Sequence, residues 1–545
     1  MKAISSIKAK SVLQLIDSHV AAKLLRPRLA QILENYKSKI ETYSFKESSP
    51  HEHMIYANNY LNYGELKVIG FDLDYTLVSY TPELQTLIYN LARNQLVNVY
   101  GYPQDLGNLQ FDPNFAIRGL SVDARFGTLG KLSHLQRLAS NRTYIGKKVI
   151  TPEEMLSLYG DRHISYGDLN MMRPLNDLFS VAEGCLIADT MELFLSRAKR
   201  TGESFVASSI VDDVQKAISD VHINGSMQGE VLSDPQRYIK NSPDLGNMLT
   251  HVKESGKQSF LCTNSTFAYS NRAMNHALGL KAESTEWRDL FDVVICSAKK
   301  PDFYKSRQPF REYDTVRRSP TTSPVVKLER GKVYVQGSAD ALQRATGWKT
   351  NQVLYLGDNL RADLVEARRW HGWHTGCIID ELGTEIATSQ SPPCKELHFL
   401  RSTLRNLMYD LQLEMQRPKQ VSAELDSSHV NRIDTGCSQE VKMVRLGAHF
   451  ETHDEAVLCA IESELHAINA QLSKLYNPHF GSVFRTDGHP SLFAFAVLRY
   501  VDLYMSDVTN LLHYNPQHRF YPYHSMHMAH DPASLSTSVP NTRVP

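Results

Sequence analysis

The chain has 545 residues, of which 42% are hydrophobic and 22% are charged, so it can bury enough core for about three globular domains and is not a disordered chain. The chain has 59 lysine and arginine residues and 59 aspartate and glutamate residues. This balance excludes a global basic surface for binding nucleic acid and an overall excess of acidic residues. Since no apolar run approaches the ~18 residues of a membrane span and no secretory signal follows Met1, we expect a soluble intracellular protein without nucleic acid or membrane partners.

Residues 1–54 are predicted to form a helical, targeting-like segment. Its basic pattern is compatible with a mitochondrial presequence, and equally with an amphipathic helix docked on the body of the protein. The seven cysteines of the chain lack CxxC spacing, which is typical of a reducing compartment. We therefore expect a cytoplasmic protein, with the mitochondrial matrix as the alternative. The charged residues behind this interpretation are Lys2, Lys8, Lys10, Lys23, Arg26 and Arg28, against Asp17.

The first strong strand signal ends in two acids. Lys67–Phe71 is a short, mostly apolar run that is typical of a strand buried in a parallel sheet, and it continues into Asp72 and Asp74. Because side chains alternate in extended chain, both carboxylates can project to the same side of the strand end. They repel each other, so a hard divalent cation with oxygen ligands, preferably Mg²⁺, would stabilise them. The same pattern also occurs in turns and helix caps.

A domain-sized insertion follows this strand. Thr81–Tyr100 has helical spacing, Leu169–Arg200 is predicted to be helical, and no further buried-strand signal appears before about residue 255. The chain contains neither a Walker A nor a GxGxxG motif, so phosphate binding by those glycine-rich loops is not supported. We predict that residues 81–250 form a domain that covers the site at the strand ends.

Two further predicted strands end in polar residues. Gln258–Cys262 precedes Thr263 and Asn264, which can bind phosphate oxygens through a hydroxyl and exposed backbone N–H groups, or can cap the following helix. Phe291–Cys296 precedes Lys300, which can neutralise charge on a phosphoryl group, or can belong to a solvated lysine pair.

The fourth predicted strand, Val353–Gly357, leads to Asp358, and Asp363 follows five residues later. This spacing allows one acid to reach a metal while the other orients a ligand or a lysine. Asp363 can alternatively be a first-turn acid favoured by the helix dipole. Residues 303–330 are basic and polar, which indicates a surface excursion, and the last core strand is predicted at Thr375–Ile379.

The region 401–530 is predicted to be helical and is followed by a tail, residues 531–545. Leu492–Tyr514 is apolar at helical spacing, which indicates a packed or oligomer-forming helix, because charges interrupt it too often for a membrane span. Residues 415–440 have the composition of a linker or mobile loop. Three histidines near the C-terminus are spaced three residues apart, which is compatible with a metal site, but a polar C-terminal segment explains them better. They are His524, His527 and His530.

Taken in chain order, the four strand ends resemble the motifs of the haloacid dehalogenase superfamily, and within it the 5'-nucleotidase domain-containing proteins related to cytosolic purine 5'-nucleotidase. The resemblance extends over about residues 55–530. It implies an α/β fold in which 55–80 and 251–400 form a Rossmann-like parallel sheet of the haloacid dehalogenase type, with a large inserted α+β cap domain at 81–250 and a helical C-terminal extension. The segments that carry the resemblance are Gly70–Leu77, Phe115–Leu120, Val221–Gly225, Leu290–Val294, Lys300-Pro301, Gly347-Trp348, Leu354–Asp358 and Phe480–Arg485.

The resemblance also implies a mechanism. Asp72 would be the nucleophile that attacks phosphorus and forms an aspartyl phosphate, while Asp74 would protonate the leaving oxygen and then activate water. Mg²⁺ would be held by Asp72, the backbone carbonyl of Asp74 and Asp358.

Four further side chains receive roles from the same resemblance. Thr263 and Asn264 would bind the phosphoryl oxygens, and Lys300 would steady the negative charge. Asp363 would position Lys300 or the waters on the metal. The substrate implied is a nucleoside monophosphate whose nucleoside contacts the cap.

Two positions depart from the pattern. Purine nucleotidases of this type carry a base-binding arginine in the cap, four residues ahead of an aspartate. This chain has Ser208 at the position of the arginine, followed by Asp212, so a preference for purine substrates is in doubt. Asp212 stays a candidate substrate contact. Asn359 stands where histidine often follows the motif aspartate, a change that is tolerable if the residue caps the helix.

Different classes of function therefore remain. The metal and nucleophile residues favour a Mg²⁺-dependent phosphohydrolase acting on nucleoside monophosphates. We separately expect the protein to be a homo-oligomer. The missing base contact favours a nucleotide-binding scaffold with little catalysis, and a phosphatase acting on another small phosphate ester is the third alternative.

Overall fold

The computed structural model describes residues 2–3, 12–18, 27–42, 44–45, 54–139, 141–416 and 453–522. The chain divides into two compact units, one formed by Met1–Ser49 with Thr388–Leu475 and the other by Pro50–Ala387 with Tyr476–Pro545. The predicted linker falls almost entirely outside the described residues. The predicted tail, residues 531–545, and the histidines His524, His527 and His530 also lie outside them. The predicted division into core, cap and C-terminal region remains a prediction.

The second unit contains a ten-stranded sheet. Its strands are Tyr56–Ala57 (β1), Val68–Phe71 (β2), Gln258–Cys262 (β3), Val293–Cys296 (β4), Phe310–Asp314 (β5), Ser319–Val325 (β6), Val333–Gln336 (β7), Val353–Gly357 (β8), His374–Ile378 (β9) and Leu503–Met505 (β10). Their order across the sheet is β6-β5-β7-β4-β3-β2-β8-β9-β10-β1. The seven neighbouring strands from β7 to β10 are parallel, whereas β5, β6 and β1 pair antiparallel at the two edges. The predicted Rossmann-like parallel sheet is thereby confirmed, with β2 in its interior.

The sequence between β2 and β3 folds into helices and a separate five-stranded antiparallel sheet, as expected for an α+β insertion. The predicted helix Leu169–Arg200 is wrong in its first part, because Pro174 has no backbone N–H for a helix interior and lies in a strand. The strands are Leu120–Asp123, Thr128–Gly130, Tyr144–Ile145, Lys148–Val149 and Met172–Leu175; the helices are Glu83–Asn98, Pro152–Tyr159, Tyr166–Leu169, Ser180–Thr201, Ala207–Ile223, Ser226–Ser233, Pro235–Tyr238 and Pro243–Glu254, with a 3-10 turn at Gln104–Asn108.

Shorter elements surround the central sheet. The predicted surface excursion at 303–330 contains the edge hairpin β5–β6, and most residues of β6 are exposed. The helices are Phe267–Ala277, Asp302–Lys305, Ala339–Thr346, Glu366–His371 and Leu382–Gln390, with a π-helix at Leu360–Val365, 3-10 turns at Glu286–Leu290 and Thr350–Gln352, and paired two-residue strands Leu61–Asn62 with Arg519–Phe520 and Arg485–Thr486 with His489–Pro490.

The predicted helix Leu492–Tyr514 is wrong beyond its first half. The helix Leu492–Tyr500 ends before Asp502, whose buried carboxylate accepts a hydrogen bond from the backbone N–H of Thr375 at 3.0 Å. This contact directs the chain alongside β9, where it forms β10, and a 3-10 turn follows at Val508–His513. The last strand of the sheet is therefore β10 rather than the strand predicted at Thr375–Ile379, because a tertiary contact overrides the helical spacing.

The first unit is helical in its described part. Its helices are Pro27–Thr42, Pro392–Gln416 and His453–Lys474, residues 12–18 are also helical, and the short strands Lys2–Ala3 and Ser44–Phe45 pair antiparallel. Tyr36 donates a hydrogen bond to Asp410 at 2.7 Å and so joins two of these helices. Across the described part of the chain, none of the helices has both the length and the apolar character that crossing a bilayer requires.

Lys131 is a buried lysine in the second unit, and its side chain joins two distant segments. Its Nζ donates to the backbone carbonyls of Phe480, at 2.6 Å, and of Ser482. Burial lowers the pKa of Lys131 to about 7, although the charge of Glu385 partly opposes the shift. The protonated form is therefore disfavoured inside the folded unit.

We expect the stability of the protein relative to a Lys131→Met variant to rise with pH above about 7, by about 1.4 kcal/mol per pH unit up to pH 9. In this range the unfolded chain keeps the proton on Lys131 and the folded chain does not, so unfolding takes up a proton and becomes harder as pH rises. Urea titrations from pH 6 to pH 9 measure the difference. The matched exposed substitution Lys148→Met should show no such slope, and an equal slope in both variants would contradict the prediction.

Candidate active site

The carboxyl ends of β2, β3, β4 and β8 meet at one edge of the sheet, since these strands are parallel neighbours. The loops after β3 and β4 are also bonded to each other. The backbone N–H of Ala298 donates to the carbonyl of Thr263 at 3.0 Å, and that of Ser297 donates to the carbonyl of Ser265 at 2.9 Å. The polar residues that follow separate strands in sequence are thus held together by backbone hydrogen bonds.

Three carboxylates form a buried acid cluster at this edge. Asp72, Asp358 and Asp363 each offer an oxygen within 4.8 Å of the others. Burial and the neighbouring negative charges raise the pKa of Asp363 to about 7 and hold that of Asp358 well above its usual value. Gly357 permits this packing, since a Cβ at that position would lie 2.6 Å from the Cβ of Asp363. One oxygen of Asp358, Oδ2, is buried and has no hydrogen-bond partner among the described residues, which leaves it available to a cation.

Lys300 provides the positive charge next to this cluster. Its Nζ lies 2.7 Å from Asp72 Oδ1, 2.5 Å from Asp363 Oδ1 and 3.0 Å from the hydroxyl of Tyr355. Burial alone would lower the pKa of Lys300, but the charges of Asp363 and Asp72 outweigh it and raise that pKa well above its usual value. The alternative of a solvated lysine pair is wrong for Lys300, which is buried, whereas Lys299 is exposed.

The Thr-Asn-Ser segment after β3 does not cap the next helix, because that position belongs to Thr266. The side-chain amide of Asn264 donates to the carbonyl of Lys300 at 2.9 Å, and its oxygen accepts from the N–H of Lys300 at 2.6 Å. The hydroxyl of Thr263 is buried and accepts from the N–H of Ser265 at 3.0 Å. Asn264 therefore braces the backbone of Lys300, and direct substrate contacts of Thr263 and Asn264 remain predictions.

Asp74 lies outside the acid cluster and has its own network. Tyr80 donates to one carboxylate oxygen at 2.5 Å and Ser265 to the other at 2.7 Å, while the hydroxyl of Tyr269 lies 2.8 Å from that of Tyr80. Burial and the charge of Asp72 raise the pKa of Asp74 to about 6, and the two hydrogen bonds oppose this shift only in part. An acid with this pKa can both give and take a proton near neutral pH.

Sequence reasoning missed the three tyrosines of these networks, Tyr80, Tyr269 and Tyr355. Tyr355 lies inside an apolar strand, so its pattern predicts only a core residue. Tyr80 lies six residues after Asp74, whereas Tyr269 comes from a distant part of the chain and joins the network through the hydroxyl of Tyr80, a contact that no short motif carries.

The loop after β8 is bonded to the insertion. The side-chain oxygen of Asn359 accepts from the N–H groups of Arg361 and Ala362, so Asn359 caps the π-helix Leu360–Val365, the role in which its replacement of histidine is tolerable. Its amide nitrogen donates to Asp177 at 3.2 Å. Asn359 therefore also links the residue after Asp358 to the insertion.

Gln85 holds the start of the helix Ser180–Thr201 near the strand ends. Its amide nitrogen donates to the carbonyl of Leu178 and to the hydroxyl of Tyr75, and its oxygen accepts from the N–H of Ala182. The ring of Phe179 packs on that of Tyr75 with centroids 4.9 Å apart. The residues after β2 and the first turn of this helix thus form one wall beside the site.

Asp212 lies further along the insertion, on the helix Ala207–Ile223. It forms an ion pair with Arg173 at 2.6 Å, and Arg173 also donates to Gln215 at 2.5 Å. Gln215 in turn donates to Glu183, whose pKa burial raises to about 7. Among the described residues, no hydrogen bond or ion pair joins Asp212 to the acid cluster, and its contact with a substrate stays a prediction.

The chain was compared with family profiles, with curated proteins and with solved structures. The sequence profile of the 5' nucleotidase family matches residues 55–533. The chain is 32% identical over 477 residues to the human "5'-nucleotidase domain-containing protein 2", which covers 86% of this chain and 83% of the human protein. A 5'-nucleotidase domain-containing protein of Dictyostelium discoideum is 32% identical over 497 residues, covering 90% of this chain and 77% of that protein. A solved structure described as a predicted phosphoglycolate phosphatase from Haemophilus somnus is 13% identical, with a TM-score of 0.26, and covers 58% of this chain and 85% of that chain.

Proposed function

Because the chain belongs to the 5' nucleotidase family, which supports a phosphatase-type function, we propose that it is a Mg²⁺-dependent phosphohydrolase that removes the 5'-phosphate of nucleoside monophosphates through an aspartyl-phosphate intermediate. One observation carries this proposal. Asp72 is a buried carboxylate that contacts a buried ammonium, Lys300, within a cluster of three acids at the ligand edge of the sheet. A structural ion pair would need one acid for one lysine, and the surplus acids favour a metal-assisted nucleophile.

The donor set fits Mg²⁺. The carboxylates of Asp72 and Asp358 and the backbone carbonyl of Asp74 are hard oxygen ligands. Within the part of the chain that the structure describes, the buried Oδ2 of Asp358 has no hydrogen-bond partner. When bound there, Mg²⁺ would offset the repulsion between Asp72 and a phosphate dianion. Asp363 bonds to Lys300 and to the backbone N–H of Asn359, so we assign it to the positioning of Lys300.

In the proposed reaction, Asp72 acts as the nucleophile and Asp74 as the general acid and base. Asp72 forms a bond to phosphorus as the bond from phosphorus to the nucleoside oxygen breaks, and Asp74 gives its proton to that oxygen. Asp74 next takes a proton from water, whose oxygen bonds to phosphorus and releases the carboxylate of Asp72. The pKa of Asp74, raised to about 6 by burial and the charge of Asp72, suits both transfers.

Substrate binding would involve both walls of the site. The hydroxyl of Thr263 and the backbone N–H of Asn264 would contact the phosphoryl oxygens, and Lys300 would steady their charge. On the insertion, Asp212 would contact the nucleoside. Because Asp212 is paired with Arg173, a base contact there would involve both side chains.

The second candidate is a nucleotide-binding scaffold of the same fold with little catalysis. It is favoured by Ser208, which stands where an arginine would bind the base. A phosphatase acting on another small phosphate ester is the third candidate. We further propose a cytoplasmic homo-oligomer, with the mitochondrial matrix as the alternative location; light scattering on the purified chain and imaging of a C-terminally tagged chain test these two points.

Phosphate release by the purified full chain tests the proposal. The panel contains the 5'-monophosphates of adenosine, guanosine, inosine, cytidine and uridine, with glucose 6-phosphate and glycerol 3-phosphate as non-nucleotide esters, each with Mg²⁺ or with EDTA. We expect release from at least one nucleotide that EDTA abolishes. Release only from the other esters would favour the third candidate, and nucleotide binding by calorimetry without release would favour the scaffold.

A further inference from the structure

The Lys300 ammonium is held by three fixed oxygens. Its Nζ donates to Asp363 Oδ1 and to the hydroxyl of Tyr355, and it lies 2.7 Å from Asp72 Oδ1 in an ion pair. The backbone of the same residue is held by Asn264 through two hydrogen bonds. Lys300 is therefore held at both ends of its otherwise flexible side chain, which is what fixes the distance of its charge from Asp72.

Tyr355 is the neutral member of this set, and its own geometry is fixed. Its hydroxyl donates to the carbonyl of Cys262 at 2.8 Å, and because a phenol has one hydrogen, the hydroxyl must accept from Lys300. The ring is fully buried and packs against Phe260 and Trp373, with centroids 5.8 and 5.9 Å away. The hydroxyl oxygen is thus a rigid acceptor for the ammonium.

The hydrogen bond from Tyr355 to the carbonyl of Cys262 connects Lys300 to a second element of the site. Cys262 is the last residue of β3 and directly precedes Thr263. The Tyr355 hydroxyl therefore connects β8, the end of β3 and the lysine after β4, which are separate segments of the sequence.

We propose that Tyr355 is a positioning residue whose hydroxyl holds the Lys300 ammonium against Asp72. Its kinetic consequence rests on the proposed phosphohydrolase function. Without the hydroxyl, one N–H of a buried ammonium loses its partner, and the lysine side chain takes up other rotamers to satisfy it. The charge next to Asp72 is then displaced, although the nucleophile and the proposed metal ligands are unchanged.

Tyr355→Phe tests this, because it removes the hydroxyl and keeps the ring. Tyr334→Phe is the matched control, since Tyr334 is a buried tyrosine of the same sheet whose hydroxyl accepts from the N–H of Glu329, far from Lys300 in the hydrogen-bond network. We expect Tyr355→Phe to lower kcat about 10-fold with KM changed less than about twofold, and the control to change neither. Crystal structures of the wild type and of Tyr334→Phe should show Lys300 Nζ within hydrogen-bond distance of Asp72. The crystal structure of Tyr355→Phe should show Lys300 Nζ displaced from Asp72.

The outcomes separate this inference from the proposed function. If the wild type turns over no substrate, the proposed function fails and the crystal structures alone decide the role of Tyr355. An unmoved Lys300 in Tyr355→Phe overturns the inference, and so does a displaced Lys300 with unchanged kcat. If Tyr355→Phe does not fold, the same measurements use a variant with 4-fluorophenylalanine at position 355. This side chain preserves the ring and its volume but accepts hydrogen bonds poorly.

Discussion

Replacing Asp72 with asparagine is expected to lower phosphate release at least about 1000-fold while leaving the folded chain at least as stable as the wild type. An amide is a poor nucleophile, and the variant would lack the oxygen that bonds to phosphorus. Stability should not fall, because Asp72 shares the Lys300 ammonium with Asp363, and its charge raises the pKa values of Asp358 and Asp363 beyond what burial does. Initial rates on the best substrate and thermal unfolding midpoints measure both effects.

The matched control for this charge removal is Asp105→Asn, an exposed aspartate in the turn Gln104–Asn108. It should keep the wild-type rate and the wild-type midpoint. A variant at Asp72 that retained a tenth of the activity would argue against a covalent intermediate at this residue. A midpoint several degrees below that of the wild type would instead indicate that Asp72 serves mainly as a structural partner of Lys300.

Sequence reasoning located the strand ends of the site for a physical reason. An apolar run followed by acids or hydroxyls marks a buried strand that meets solvent, and the carboxyl ends of parallel strands meet at one edge. Asp72, Thr263, Lys300 and Asp358 each follow such a run, and the structure places all four at that edge. The chemistry of the sequence was therefore sufficient to predict which residues meet.

The contacts that hold those residues could not be predicted in the same way. Tyr355 and Lys300 are 55 positions apart, and their hydrogen bond exists only because β8 and β4 lie in one sheet. The fold shows the same limit at β10, where the apolar spacing of Leu492–Tyr514 favours a helix but the contact of Asp502 with Thr375 selects a strand. Local pattern decides the local element only where no long-range contact opposes it.

Gly70 is the position where a single added methyl group should most strongly destabilise the sheet. It lies on β2, one residue before the strand ends, and a Cβ there would lie 2.2 Å from the ring of Phe260 and 2.6 Å from that of Tyr355. Neither ring has room to move, because Phe260 also packs against Trp348 and Trp373, and Tyr355 also packs against Trp373. We therefore expect Gly70→Ala to lower the free energy of unfolding by about 3 kcal/mol or more, through overpacking.

Urea titration followed by tryptophan fluorescence measures this effect in the second unit alone, because the four tryptophans of the chain all lie there: Trp287, Trp348, Trp370 and Trp373. Gly229→Ala is the matched control, since Gly229 lies in the helix Ser226–Ser233 and a Cβ there has open space around it. The control should be stabilised by about 0.5–1 kcal/mol, as alanine favours a helix interior. Because Tyr355 is one of the two rings that Gly70→Ala would displace, this variant should also lose activity in urea-free buffer. Equal stability of Gly70→Ala and Gly229→Ala would contradict the prediction, since it would show that the rings around Gly70 can move to make room for the methyl group.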